Sequence, residues 1–463
     1  MVTPEILVAF KAGMPSEKAQ ALIETEGNGE IVEKDWAHMP GAYKVRSKAK
    51  NGIDVLLAAN ALARMPEVRF AEPDMIFTGR TEWIPNDPGF TDCWGIHNTG
   101  QDGGTVDMDM DGPEAWDLTT GSTSIVAVVL DNGAQQDHPD LHQRSGTDVT
   151  SDPGDGGPFN ACDNHGTAVA SCISAYINNS LGTVGIAGGC RAASARTFIS
   201  NVPCDGGWTS STSWTVDALD WAETIGARVT NNSNGYGWTA SAIEDKYAST
   251  RANGIVHFAS AGNDSVSTIG YPSSLSTVCS IAALDRDGTR AGFSNWGVGL
   301  AYSAPGVDIY MCDRTGNDGY TVNDYCTKNG TSFSSPYTAG VAALMLSLDS
   351  SLTPGNVEDI IAATCVDLGT AGYDTDFGWG FVNAYDCVLA SKTNYVWVDF
   401  YYSGTEDGSF LHPYDTLAEG VAAVPNGGKI MVKASSTSET LTIDKPGYSF
   451  MIESWHGSAN VGY

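Results

Sequence analysis

Residues 329–344 read NGTSFSSPYTAGVAAL. Ala339, Val341, Ala342 and Leu344 recur at roughly helical spacing, and Gly330 supplies a turn ahead of them that few side chains tolerate. The pattern predicts a helix with Ser332 at its start. Two roles are open to that serine. It either caps the helix, its oxygen accepting from free backbone N–H groups, or it is a nucleophile whose developing oxyanion is favoured by the positive helix end. The second role requires a histidine and a carboxylate elsewhere.

Upstream, SIVAVVLDNG (124–133) is a continuous apolar strand ending on Asp131, with Gly133 turning the chain. DNHGTAVASCISA (163–175) places His165 before a helical run of small residues, and FASAGND (258–264) leaves Asn263 just after a strand end. Taken singly, each has a bland reading: a cap or cation ligand, a structural histidine, a turn asparagine. Their combination in one α/β segment, each at a strand end or helix start, is what an acyl-transfer site requires.

The surrounding pattern is parallel α/β from about residue 120 to 390. Short buried strands (SIVAVVLD, ARVTNNS, GIVHFASAG) alternate with helical segments (TVDALDWAETIG, SPYTAGVAALMLSL). In such sheets functional groups gather at the carboxyl ends of the strands. Residues 5–76 instead run β-α-β-β-α-β, which suggests a small ferredoxin-like sandwich. Beyond residue 394, YVWVDFYYSG, GGKIMVKASS, ETLTIDKPG and YSFMIESW read as short strands, the start of a β-solenoid or a small sandwich.

Composition limits the function. The 463 residues carry a net charge of −31, which argues against nucleic acid. Residues 1–80 hold 10 of the 24 Lys+Arg but only 11 of the 55 Asp+Glu, so a domain boundary is expected near residue 80. No apolar run is long enough to cross a membrane. MVTPEILVAFKAG lacks the pattern of a signal peptide, so any export signal is expected to have been removed or omitted. Ten cysteines form neither CxxC pairs nor Cys/His clusters, so structural disulfides in an oxidising, extracellular compartment are expected rather than zinc. Sequence does not fix the pairing; Cys190 with Cys204 and Cys312 with Cys326 are locally plausible.

The motifs of Asp131, His165, Asn263 and Ser332, in that order, resemble those of the subtilisin-like serine proteases over residues 83–390. The resemblance implies a triad of Asp131, His165 and Ser332, with Asn263 in the oxyanion hole. It also implies that Ser233 and Gly235 line one wall of a peptide cleft and Ala261 and Gly262 the other. Asn132, Ala168, Phe333, Ser334 and Tyr337 depart from the usual pattern without being reacting groups. Asp264 either reaches the floor of the S1 pocket or sits on a loop. IPNDPGF, WGIHNTGQ and PEAWDLTTG resemble the thermitase-like, secreted branch. Within that branch Asp87, Asp140 and Asn179, with the carbonyls of Leu181 and Thr183, match a structural Ca²⁺ site. DMDMDG (107–112) has EF-hand-like spacing, but Leu118 stands where the last Glu is needed, so it reads as a surface loop.

The expected organisation is therefore an inhibitory propeptide over 1–80, a subtilisin-like peptidase domain over 81–390 and a β-rich segment over 391–463. The expected molecule is a secreted, monomeric endopeptidase made as a zymogen, cutting itself between about Phe77 and Trp83. Its partners are protein or peptide substrates and its own propeptide, with no nucleic acid or membrane. A non-catalytic binding protein on the same fold, or a carbohydrate-active β-helix enzyme carrying a protease-like domain, are the competing classes. The intact four residues speak against the first and the short tail against the second.

Overall fold

The computed structural model describes residues 2–49, 51–75, 83–152, 154–439, 445 and 447–461. The chain divides into two compact units, Met1–Thr81 and Glu82–Tyr463. The expected cleavage window and most of ETLTIDKPG lie outside the described residues.

The first unit has strands Val2–Phe10, Gly29–Lys34, Ala42–Ser47 and Val68–Met75, with helices Ser16–Thr25 and Gly52–Ala63. The first strand lies between the third and fourth and is antiparallel to both, and the second pairs with the third, as in a ferredoxin-like sandwich. Alternation fixes this arrangement. Ile6, Val8 and Phe10 share one face of the first strand and pack on Ala19, Ile23, Ala59 and Leu62 of the helices.

The second unit is built on seven parallel strands. In spatial order they are Leu300–Pro305, Cys279–Leu284, Val256–Ser260, Val229–Asn232, Val126–Asp131, Arg191–Arg196 and Gln143–Asp148. Strand Val126–Asp131 is buried throughout because both of its faces are covered. Ala127 and Val129 join the core under helices His165–Ser174 and Thr331–Leu348. Val126, Val128 and Leu130 face the opposite layer, with Ala218, Leu219 and Tyr247 of helices Thr212–Thr224 and Ser241–Ala252.

Helix Thr331–Leu348 is buried from Thr331 to Leu346, which explains its small residues. A Cβ at Gly340 would come within 2.3 Å of Ile186 Cγ2, so the helix can lie this close only with glycine there. All five departures from the family pattern, Asn132, Ala168, Phe333, Ser334 and Tyr337, are buried.

Strands Tyr395–Val398, Lys429–Lys433 and Met451–Trp455 stack in parallel, with Tyr395, Lys429 and Met451 in register. Such stacking belongs to a solenoid coil rather than a hairpin sandwich. Helix Leu417–Ala423, between the first two strands, has no counterpart in the sequence reading.

The DMDMDG loop is not a surface loop throughout. Asp109 is buried, accepts from the backbone N–H groups of Asn98 and Asp111, and has its carboxyl pushed up to about 7 by burial. Asp111 in turn accepts from Asn383 Nδ2 at 2.6 Å, just before helix Ala384–Ala390.

Candidate active site

Asp131 is the last residue of strand Val126–Asp131, in the interior of the sheet, and has no exposed surface. Both of its carboxylate oxygens lie 2.9 Å from His165 Nδ1, and one also accepts from the backbone N–H of Asn132 at 2.8 Å. His165 is the first residue of its helix. The glycine after it is required, since a Cβ on Gly166 would sit 2.6 Å from the Gly133 carbonyl oxygen. Burial by itself would lower the His165 pKa, but the charge and hydrogen bond of Asp131 more than reverse this, and it lies above the ordinary histidine value. Phe333 packs 5.8 Å from the imidazole, ring centre to ring centre.

Ser332 does not cap its helix. Gly330 occupies the N-cap position at φ +156°, and the Ser332 hydroxyl donates to the Ser233 carbonyl at 3.1 Å. Ser233 Oγ returns a 2.7 Å bond to the Ser332 carbonyl, and Asn231 links Ser233 to Ser335. This seam fixes Ser332 between the helix and strand Val229–Asn232.

Asn263 follows strand Val256–Ser260 through Gly262, whose φ of +114° favours glycine. Its Oδ1 accepts from both the backbone N–H and the hydroxyl of Thr331, each at 2.9 Å, so its amide NH₂ is the end left without those bonds. Thr331 was not singled out in the sequence, although it adjoins Ser332. Ala261 is fully buried, and the Asp264 N–H donates to Asn295 Oδ1 while the residue itself is exposed.

His165, Asn263 and Ser332 line one cleft of about 560 Å³, together with Asn132, Ser233 and Gly235. Phe198, Trp208 and Tyr320 also line it, and composition offered no signal for them. Beneath the wall, buried Arg196 binds Asp148 at 3.0 Å and Asp163 at 2.9 Å, and reaches Asp152 at 3.3 Å.

The disulfide expectations need correction. Cys204 pairs with Cys162, not Cys190, and this bond borders the cleft. Cys312 and Cys326 lie on paired strands, but Met311 is opposite Cys326 and Cys312 opposite Tyr325. The one-residue offset turns their side chains to opposite faces. The other eight cysteines are free, and all but Cys365 are buried. They pack as small apolar residues.

The five residues expected at a cation site are also located. Asp87 accepts from the N–H groups of Asn178 and Asn179, and Asp140 from Asn179 Nδ2 at 2.8 Å and the Thr183 N–H at 3.1 Å. Leu181 donates its N–H to Asn179 Oδ1 at 2.9 Å. Burial, with the nearby charge of Asp87, pushes the Asp140 carboxyl up.

Known proteins share this architecture. The sequence profile of the subtilase family matches residues 121–380. Halolysin of Haloferax mediterranei is 30% identical over 390 residues, spanning 83% of this chain and 69% of the relative. The thermophilic serine proteinase of Bacillus sp. strain AK1 is 31% identical over 393 residues, 84% of this chain and 88% of the relative. The halolysin-like extracellular serine protease Nep of Natrialba magadii is 31% identical over 397 residues, 84% and 68%. A solved protease structure from Pseudoalteromonas arctica matches with TM-score 0.57 at 28% identity, covering 66% of this chain and 99% of that one.

Proposed function

Because the chain belongs to the subtilase family and is a serine endopeptidase, we propose that Asp131, His165 and Ser332 are its triad and that Asn263 completes the oxyanion hole. The observation that carries this is the 2.9 Å contact of Asp131 with His165 in a cleft shared with Ser332 and Asn263. When peptide binds, the Ser332 hydroxyl exchanges its Ser233 partner for His165 Nε2; such bonds often tighten only in the substrate complex. Ser332 Oγ attacks the scissile carbonyl carbon while His165 takes the hydroxyl proton. Asp131 holds the imidazole in the accepting tautomer and stabilises the imidazolium. The oxyanion is met by Asn263 Nδ2 and the Ser332 N–H, each such donor contributing about 3–4 kcal/mol. Collapse breaks the C–N bond as His165 protonates the leaving amine. Water then cleaves the acyl-enzyme by the same proton path in reverse.

Ser233 and Gly235, which line the cleft, supply a backbone edge along which an extended substrate pairs; Ala261 and Gly262, expected on the other wall, have their backbone groups bonded to Ile281, Gly270, Thr331 and Asn295. Residues 1–80 act as an inhibitory propeptide. Their separate compact fold and different charge balance support this, and Ser332 makes the cut between about Phe77 and Trp83. The active form is a secreted monomer. With eight free thiols, export rests on relatives such as Nep, whose name describes it as extracellular.

Asp87, Asp140 and Asn179, with Leu181 and Thr183, would hold a structural Ca²⁺. The donor set fits: Asp87 and Asp140 are buried oxygen ligands whose hydrogen-bond partners among the described residues are neutral groups. The ion would supply the missing positive charge and no chemistry.

The test is expression of wild type and Ser332→Ala side by side. A serine-directed fluorophosphonate should label Ser332 in the wild type only, and N-terminal sequencing should find cleavage in the 77–83 window in the wild type only. Equal labelling of the variant would overturn the nucleophile. Identical processing of the variant, with no other protease present, would overturn self-cleavage.

A further inference from the structure

The residue after Asp131 is asparagine where the family pattern has a hydroxyl residue, and the structure gives this change a use. Asn132 is 2% exposed, and all four of its polar groups are engaged in different directions. Its N–H donates to Asp131 Oδ1 at 2.8 Å, and its carbonyl accepts from Arg196 Nε at 3.3 Å. Its side-chain Oδ1 accepts from the Gly166 N–H at 2.8 Å, and its Nδ2 donates to Ser200 Oγ at 3.0 Å.

The Gly166 bond stands out. The first N–H groups of a helix have no partner within it, and a neighbouring side chain usually supplies one. Here Asn164, at the N-cap position, makes no side-chain cap bond. The acceptor comes instead from the strand that carries Asp131. One side chain therefore fastens the start of the His165 helix to the Asp131 turn, across the gap that the imidazole bridges.

Ser200 closes the circuit on the substrate side. It belongs to strand Phe198–Ser200, which pairs with Trp208–Ser210 in a hairpin whose residues line the cleft. Its N–H donates to Asp163 Oδ1 at 3.1 Å and its carbonyl accepts from Asn160 Nδ2 at 3.0 Å, both in the loop that leads to His165. A serine or threonine hydroxyl at position 132 is too short to span from Gly166 to Ser200. A carboxamide, with an acceptor and a donor on opposite arms, makes both bonds.

We propose that Asn132 is a positioning residue that holds the His165 imidazole in register with Asp131 and ties that register to the 198–210 wall of the cleft. The inference rests on the reading of Asp131 and His165 as triad members. Among the described residues, the charged or titratable groups around them include Asp131 itself, Asp163 paired with Arg196, Arg314 hydrogen-bonded to Asn164, and the phenols of Tyr320 and Tyr236, both of which feel the Asp131 charge.

Steady-state kinetics on the processed enzyme across pH, with a soluble peptide substrate, test it. Asn132→Ala should lower kcat about 10- to 100-fold while KM stays within about threefold. It should also move the acid limb of the kcat profile downward, because a looser Asp131 contact supports the imidazolium less. Asn132→Asp keeps the acceptor for Gly166 and adds a negative charge beside the pair, so it should retain more of kcat and move the limb upward. A residue with only a structural role would not shift the two variants in opposite directions. An unmoved limb in both, or a KM increase with kcat intact, would overturn the proposal. If the alanine variant does not fold, Asn132→Asp and Ser200→Ala decide: an upward limb in the first and a severalfold kcat loss in the second are expected, and wild-type values in both overturn it. Fluorophosphonate labelling of the wild type separates the two levels, since failure to label Ser332 sinks the triad itself, whereas labelled enzyme with an unmoved limb sinks only the role of Asn132.

Discussion

The parallel sheet has a concavity at each end, and the larger of the two is not the one that holds the proposed triad. At the amino ends of strands Val229–Asn232 and Val256–Ser260, a hollow of about 780 Å³ is lined by Arg228, Arg251, Gly254, Leu352 and Thr353. Its polar groups are used up internally: the Arg228 guanidinium donates to the carbonyls of Gly254, Ser350 and Leu352, and Arg251 pairs with Glu358. At the carboxyl ends, the cleft of about 560 Å³ has its groups held from behind, with working ends left over. Asp131 holds one nitrogen of His165, and Thr331 holds one end of the Asn263 amide. A site is recognised by the functional atoms its supports leave unused rather than by its volume.

The largest effect expected from breaking this contrast is at Asp131. Asp131→Asn keeps the shape but removes the charge and permits the wrong imidazole tautomer, so kcat should fall about 10⁴-fold. The pH profile gives the sign. As the proposed base, His165 has to be neutral to accept the Ser332 proton, so activity is expected to rise as pH rises through its pKa. Asp131 holds that pKa above the ordinary value of about 6.5 against the opposing effect of burial. The acid limb of wild-type kcat/KM should therefore lie above that value, and residual activity in Asp131→Asn should have its limb below it. A wild-type limb at or below the ordinary value would mean that the Asp131 contact does not control the base.

The placement of the candidate site was legible in the sequence because each residue proposed to react carries its own local signal. Asp131 ends an apolar strand, His165 and Asn263 sit beside glycines that the backbone requires, and Ser332 opens a small-residue helix. The strands and helices of the first unit were legible from alternation for the same reason. What the sequence concealed is defined by contacts between distant segments. Arg196 looks like any strand-end arginine until folding brings Asp148, Asp152 and Asp163 to it. The Cys162–Cys204 bond joins loops 42 residues apart, whereas Cys190, Cys312 and Cys326, the other three that looked paired, are buried free cysteines. Helix Leu417–Ala423 contains Gly420, which local propensity disfavours. A Cβ there would meet Val398 Cγ2 at 2.7 Å, so packing and not propensity placed the glycine.

Calcium is expected to change stability at a place apart from both concavities. If Ca²⁺ sits among Asp87, Asp140 and Asn179, added calcium should raise Tm and a chelator should lower it. The stabilisation is about 2.7 kcal/mol when free calcium is a hundredfold above Kd. Asp140→Ala should abolish the calcium response while leaving fluorophosphonate labelling of the folded protein intact at low temperature. Superimposable melting curves with calcium and with chelator, after metal removal is confirmed by elemental analysis, would reject the site.

The smallest effect on activity is expected at the opposite end of the sheet, and this is the direct test of the contrast. Arg228 donates to three carbonyls at 2.6–3.0 Å and supports the start of strand Val229–Asn232 from behind. Arg228→Met fills similar space but removes all three donors. Partly buried carbonyls left without partners cost about 1–3 kcal/mol, so Tm should fall by several degrees. Because no atom of this hollow belongs to the cleft, kcat/KM of the folded enzyme should stay within about twofold of wild type, measured at a temperature where both are fully folded. The same strand runs on to Asn232, one residue before Ser233, so a strain transmitted along it would reach the seat of Ser332. A tenfold loss of kcat/KM at full folding would show that the two ends are coupled through this strand, and the hollow would then have to be counted as part of the catalytic apparatus.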